Sequence, residues 1–263
     1  MIVTILIWFY TLSLTYLFGW FACNSFVRIS GIKNRVQPSG ALVWIVGLCT
    51  LSTLVSFLSL FIKIGLVANL ILLFLAVLIL LFGIITRGNH VLPLIPALDI
   101  RKISLAGRIL LLLTGLTVLI ISVRVPSNPD TALYHAQAIH WVESYKAVPG
   151  LGNLHSRLAY SSNWMVLNAL FSFAFLGKGS FHLLNSTLFL IALSYLFGGL
   201  NGLLQGDHRI SNIVKSLLFP TAFLILGSEV SSPGTDLPVT LLSWVILTEL
   251  VVLFEKRNAN RND

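Results

Sequence analysis

Long apolar runs separated by short polar punctuation dominate the chain. Seven of them are near the length of a membrane-crossing helix, roughly 17 to 25 residues. They lie near residues 2 to 23, 40 to 62, 64 to 86, 108 to 123, 181 to 204, 213 to 228 and 237 to 254. The fourth and sixth are the shortest. An eighth apolar segment, 'SSNWMVLNALFSFAFLG' at 161 to 177, places Ser161, Asn168 and Ser172 on one helical face at spacings of seven and four. That pattern predicts a juxtamembrane helix in the interface, tilted or partly re-entrant, and not another span. The polar exception is 'NPDTALYHAQAIHWVESYKAVPGLGNLHSRLAYSSNW', residues 128 to 164. Within it, 130 to 145 reads as a helix. Asp130 stands near its N-cap, Tyr134, Gln137 and Trp141 follow on one face, and 'VPGLGN' breaks it.

Composition agrees with the pattern. Hydrophobic residues make up 56% of 263, charged ones 10%, and the mean hydropathy is +0.91, whereas soluble domains average about 25% charged residues. The expected class is an all-α, polytopic transmembrane helical bundle, because backbone exposed to lipid must hydrogen-bond within itself. The first run is not a cleavable signal: no basic residue precedes it and no small-x-small site follows. Cys23 and Cys49 sit in or beside apolar runs and read as small hydrophobic residues.

The net charge of +8 points to the membrane and not to nucleic acid. If 161 to 177 does not span, twelve of the seventeen Lys and Arg residues share one side. These are Arg28, Lys33 and Arg35; Arg87, Arg101, Lys102 and Arg108; Arg209 and Lys215; and Lys256, Arg257 and Arg261. Lys63, Arg124, Lys146, Arg157 and Lys178 fall on the other. The positive-inside tendency then predicts a multi-pass protein of the inner (cytoplasmic) membrane, with the N-terminus outside and the C-terminus cytoplasmic. A long outer loop runs from 124 to 179. A short outer loop, 'GSEVSSPGTDLP' at 227 to 238, carries Glu229 and Asp236. The spans are poor in ionisable groups, with Lys63 between two helices and Glu249 near the inner end of the last, which argues against ion coupling.

The order of these features resembles the GT-C superfamily of membrane glycosyltransferases, which use lipid-linked sugars. In that superfamily a span leads into a long outer loop with an early carboxylate, here Asp130 in 'NPDTALYH'. Juxtamembrane helices and two further spans follow. A short outer loop then brings a second carboxylate, here Asp236 in 'SSPGTDLP'. 'YH..AI.W' and 'VPGL.NLH.R' are also similar to wording shared within a family of bacterial membrane proteins. The resemblance covers about residues 108 to 254. It divides the chain into accessory spans and a cytoplasmic loop (1–107), a GT-C-like core (108–254) and a polar tail (255–263). The chain departs from the pattern in having three spans before the usual first helix and seven in all, where GT-C enzymes usually have eleven or more. That departure is the signature expected of a fragment or a reduced protein.

The resemblance implies transfer of a sugar from a polyprenyl-phosphate donor to a glycan or lipid acceptor, with membrane lipids as further partners and no nucleic acid. Asp130 would be the general base; its structural alternative is a helix cap. Arg157 would hold phosphate through its planar fork, or anchor the loop at the headgroups. Asp236 would orient the acceptor, join a divalent metal or cap the last helix. Tyr134, His135 and His155 would contact sugar or phosphate. No cofactor is signalled. His135 and His140 are five residues apart, about 140° around a helix, which is a poor chelating spacing. The alternative function is a non-catalytic component of envelope polysaccharide assembly, or a binder of lipid-linked sugar, or a truncated inactive fragment.

Overall fold

The computed structural model describes residues 1–30, 38–86, 103–159, 162–177 and 179–262, with the side chains of 259–262 left aside. Lys33, Arg35, Arg87, Arg101, Lys102, Ser161 and Lys178, which enter the charge and face arguments above, lie outside them. The described residues form nine α-helices joined by short turns. Seven are long and apolar enough to cross a membrane: α1 (Ile2–Ser30), α2 (Gly40–Ser59), α3 (Leu66–Ile85), α4 (Leu105–Ser122), α7 (Leu184–Leu204), α8 (Ile210–Leu226) and α9 (Asp236–Asn262). The chain is an all-α, multi-pass membrane protein. Its outward faces carry large apolar side chains such as Phe74, Leu81, Leu224 and Phe254, the surface a lipid-immersed bundle needs and a soluble one avoids.

Close approach of α1 and α2 organises the first half. A Cβ on Gly47 would lie 1.7 Å from the Thr15 carbonyl oxygen, and one on Gly19 would lie 1.9 Å from that of Val43. Only glycine fits on either side of this crossing. Without a hydrophobic drive between helices in lipid, such backbone-to-backbone packing is a principal source of association.

The segment at 161–177 does not span. Its helix, α6 (Asn163–Phe171), has nine residues, roughly 13 Å of rise against a hydrocarbon core of about 30 Å. The expected polar face is not solvated, however. Met165 through Ser172 are all buried, and the helix packs mainly against α2 and α5 (Ala136–Ser144). Asn168 Nδ2 donates to the Trp164 carbonyl and Ser172 Oγ to that of Ala169. The polar atoms are thus largely spent inside the helix, and α6 is a buried helix packed into the bundle rather than a solvated surface helix. Two distant contacts hold it: Asn69 Nδ2 on α3 donates to the Leu170 carbonyl, and Tyr10 Oη on α1 donates to Asn69 Oδ1.

Lys215 and Glu249 are ionisable residues within the long helices. α8 begins at Ile210, so Lys215 lies inside it and not in a loop. Its ammonium sits 3.9 Å from the centroid of the Tyr195 ring on α7, a cation–π contact that makes an intramembrane lysine tolerable. Glu249 lies in the second half of the last span, in α9, which continues past it to Asn262.

Candidate functional site

The chain leaves α4 at Ser122 and re-enters helix at Pro129. The entry is capped by Asn128, whose Oδ1 accepts from the Asp130 backbone N–H at 2.9 Å. Asp130 therefore sits in the first turn, with helical dihedrals and no capping hydrogen bond of its own. This corrects its structural alternative: the cap is Asn128, and the Asp130 carboxylate is available for other contacts. Residues Thr131–His135 form a π-helical turn, closed by the Ala136 N–H on the Thr131 carbonyl. Such turns widen a helix by one residue and are frequent at functional sites. The extra residue rotates His135 inward.

Arg157 comes from a 3₁₀ turn (Ser156–Ala159) in the loop beyond α5. Its Nη1 donates to Asp130 Oδ1 at 2.8 Å, and its guanidinium lies 5.2 Å from the centroid of the Tyr134 ring. Asp130, Tyr134 and Arg157 thus form one half-exposed cluster, bounded by charge pairing on one side and cation–π contact on the other. The Tyr134 hydroxyl is held above its usual pKa, by burial first and then by the Asp130 carboxylate.

His135 is 3% exposed, and its Nδ1 has no hydrogen-bond partner among the described residues. Burial pulls its pKa below the ordinary value, and Asp130, Asp236 and Glu229 oppose that shift without cancelling it. These three carboxylates come from two segments about a hundred residues apart. Thr131 and Ser232 share a hydrogen bond at 2.9 Å, and Asn128 Nδ2 donates to Glu229 Oε2 at 2.9 Å. His182, just before α7, likewise has a buried Nδ1 without a partner among the described residues. Burial, and then proximity to His135, lowers its pKa.

Asn185 on α7 ties the site together. Its Nδ2 donates to the Gly234 carbonyl at 2.9 Å, and its Oδ1 accepts from Trp164 Nε1 on α6 at 2.8 Å. Asp236 is an exposed residue at the start of α9, where the positive end of the helix favours a carboxylate. His155 is exposed, and its Nδ1 accepts from the Arg157 backbone N–H. It stabilises the turn that carries Arg157. The structure therefore groups Asp130, Tyr134, His135, Arg157 and Asp236 at one end of the bundle, with His155 at the margin.

Asn128, His182, Asn185 and Glu229 were not among the expected site residues. Their signal in the sequence is weak: single polar residues at helix starts, whose roles depend on partners 44 to 101 residues away. The three histidines of the 128–164 stretch diverge. His135 points inward, while His140 is 71% exposed beside Glu143. Among the described residues no group of three or more His, Cys, Asp or Glu side chains is arranged to hold a metal ion.

Two open clefts flank this cluster without containing it. One of about 470 Å³ lies between α5 and α6. Another of about 580 Å³ lies between the α2–α3 turn and the end of α5.

The polar cluster stands on a short buried helix and seven apolar ones. The chain belongs to the DUF8201 family. That family, described as a domain of unknown function, matches residues 1–263. No curated protein and no solved structure matches the chain. The match to the DUF8201 family covers helices α1–α3 as well as the 128–236 cluster.

Proposed function

We propose that this DUF8201 protein is a GT-C-like membrane glycosyltransferase. It takes sugar from a polyprenyl-phosphate donor at the outer face of the inner membrane, with its N-terminus outside and its C-terminus cytoplasmic. The observation that supports the reading best is the closure of 128–135 onto 229–236 through Thr131–Ser232 and Asn128–Glu229. It gathers the two carboxylate-bearing loops around one buried imidazole, as a two-loop transfer site requires.

The chemistry follows from the ion pair. In the free protein Arg157 occupies Oδ1 of Asp130. A donor phosphate competes for the guanidinium, which suits phosphate through its planar fork. Asp130 is then released as a base beside the acceptor. The acceptor hydroxyl oxygen bonds to the anomeric carbon and the bond from that carbon to phosphate oxygen breaks. Polyprenyl phosphate leaves with the electron pair, and the hydroxyl proton passes to Asp130. Such proton removal is worth about 10² to 10⁴ in rate.

The rival reading, lipid-linked sugar binding without transfer, draws support from one observation: neither cleft is lined by Asp130, His135 or Asp236. A transfer assay separates the two. Membranes containing the chain receive radiolabelled polyprenyl-phosphate mannose, and label is followed into glycan and glycolipid. The expected result is chain-dependent transfer, reduced most in Arg157→Ala and less in Arg157→Lys, which keeps a point charge but not the fork. Donor binding with no chain-dependent transfer would replace the enzyme by the binder.

A further inference from the structure

We infer that the cleft between α5 and α6 is a saccharide subsite, seating a pyranose ring of the acceptor glycan against Trp141. The inference deepens the glycosyltransferase reading and rests on it for the word acceptor; the sugar-binding surface itself stands on the cleft.

Its volume, about 470 Å³, falls in the usual range of roughly 300 to 1,000 Å³ for small-molecule sites. Trp141 on α5 and Tyr145, the extended residue that ends it, line the cleft, their ring centroids 5.3 Å apart and their planes 38° from parallel. Neither the Trp141 indole N–H nor the Tyr145 hydroxyl has a hydrogen-bond partner among the described residues, and Tyr145 is 56% exposed. Met165 and Val166 of α6 form an apolar floor, while Asn153 and Ser162 put polar groups on the rim. A pyranose has the matching amphipathic shape. Its C–H face packs on aromatic carbon while its equatorial hydroxyls reach outward to side-chain amides and hydroxyls.

The cleft is held in shape. Ala147 N–H donates to the Ser59 carbonyl at 2.7 Å and Ile64 N–H to the Val142 carbonyl at 2.9 Å. These bonds pin the end of α5 to the α2–α3 turn. On the opposite lip, Gly152 lies against Ala159, where a Cβ would come within 2.8 Å of the Ala159 methyl carbon. The glycine therefore lets the 150–153 turn seat directly on the 3₁₀ turn that carries Arg157. The cleft also leads towards the charged cluster. Leu158 and Ala138 line it, next to Arg157 in the chain and one helical turn beyond Tyr134. From Ala138 to Asp130 is two turns, roughly 12 Å along the axis. A glycan with one ring on Trp141 thus extends along α5 with its end near the carboxylate.

The test is titration calorimetry on the whole chain in lipid nanodiscs with mannotriose, cellotriose and chitotriose. At least one should bind wild type. Trp141→Ala should weaken that binding about tenfold or more, Trp141→Phe should stay within about threefold because the ring face survives, and Gly115→Ala on α4, with nothing within 4 Å of its added carbon, should bind as wild type. Equal folding of the variants is checked by gel filtration. Failure of all three sugars to bind wild type, or unchanged binding in Trp141→Ala, overturns the proposal. So does quenching by brominated phosphatidylcholine of the emission that Trp141→Phe removes, which would place acyl chains in the cleft. Trisaccharide binding that depends on Trp141 without any sugar transfer would keep the subsite and remove the transferase. Transfer with an acceptor KM indifferent to Trp141→Ala would do the reverse.

Discussion

Asn128 and Asp130 are two residues apart, yet Asn128 caps the helix while Asp130 carries the proposed chemistry, so substitution should separate stability from activity. Asn128→Ala removes two bonds at once: the cap to the Asp130 N–H and the bond to Glu229, each 2.9 Å. A lost cap costs about 1 kcal/mol. A lost bond to a carboxylate costs about 1.5 kcal/mol or more, since that carboxylate is then left short of a donor. The sum, about 2 to 3 kcal/mol, lowers Tm by roughly 4 to 10 °C in a chain of this size. Asp130→Asn behaves differently. Its ion pair joins side chains that are 42% and 37% exposed, and so solvent screens it to about 0.5 kcal/mol or less. The amide oxygen can still accept from Arg157, and Tm should move by no more than about 2 °C. Transfer activity should invert the order. It falls by about 10² to 10⁴ in Asp130→Asn through loss of the proton acceptor, and by less than about tenfold in Asn128→Ala assayed below its Tm. The measurement is a pair of thermal melts in nanodiscs and a pair of transfer assays normalised to protein. A large loss of stability in Asp130→Asn with unimpaired transfer would refute the assignment and return Asp130 to a structural role.

Gly47→Ala must force α1 and α2 apart, because its methyl would meet the Thr15 carbonyl at 1.7 Å. It should destabilise by about 3 kcal/mol or more, whereas Gly115→Ala, with nothing within 4 Å, should be neutral or slightly stabilising in the same melt. Buried His135 and half-buried His182 have pKa values below the ordinary 6.5. On unfolding they take up protons first, so stability should be constant above about pH 6.5 and decline as pH falls below it. Replacing both by Gln should flatten that slope in melts between pH 7.5 and pH 5.5, and an unaltered slope would count against buried neutral imidazoles. Single cysteines at Lys146 and Asp236, both exposed, should react with a membrane-impermeant maleimide in intact cells and one at Asn258 should not. Labelling at Asn258 would reverse the assigned orientation of α9.

The spans were legible because a membrane helix is a local property. About twenty apolar residues have one low-energy arrangement in lipid whatever lies beside them. The limits of that reading appear where polarity is local and its satisfaction is not. Ser211 and Asn212 look like loop residues, yet they open α8. Ser211 bonds Glu255 of α9, Asn212 Nδ2 donates to the Asp207 carbonyl and Lys215 lies over Tyr195. The serine and asparagine of α6 look like a wetted face, yet they are buried and bonded to their own helix. The family resemblance singled out Asp130, Arg157 and Asp236, and the structure brings them to one end of the bundle. The resemblance did not say that Asn128 caps the helix, that a π turn rotates His135 inward, or that Asn185 bridges α6 to the 229–234 loop. Those facts depend on contacts across 21 to 101 residues. A hydrogen bond of that span exists only once helix packing has brought its two ends within 3 Å, and no stretch of residues encodes that distance by itself.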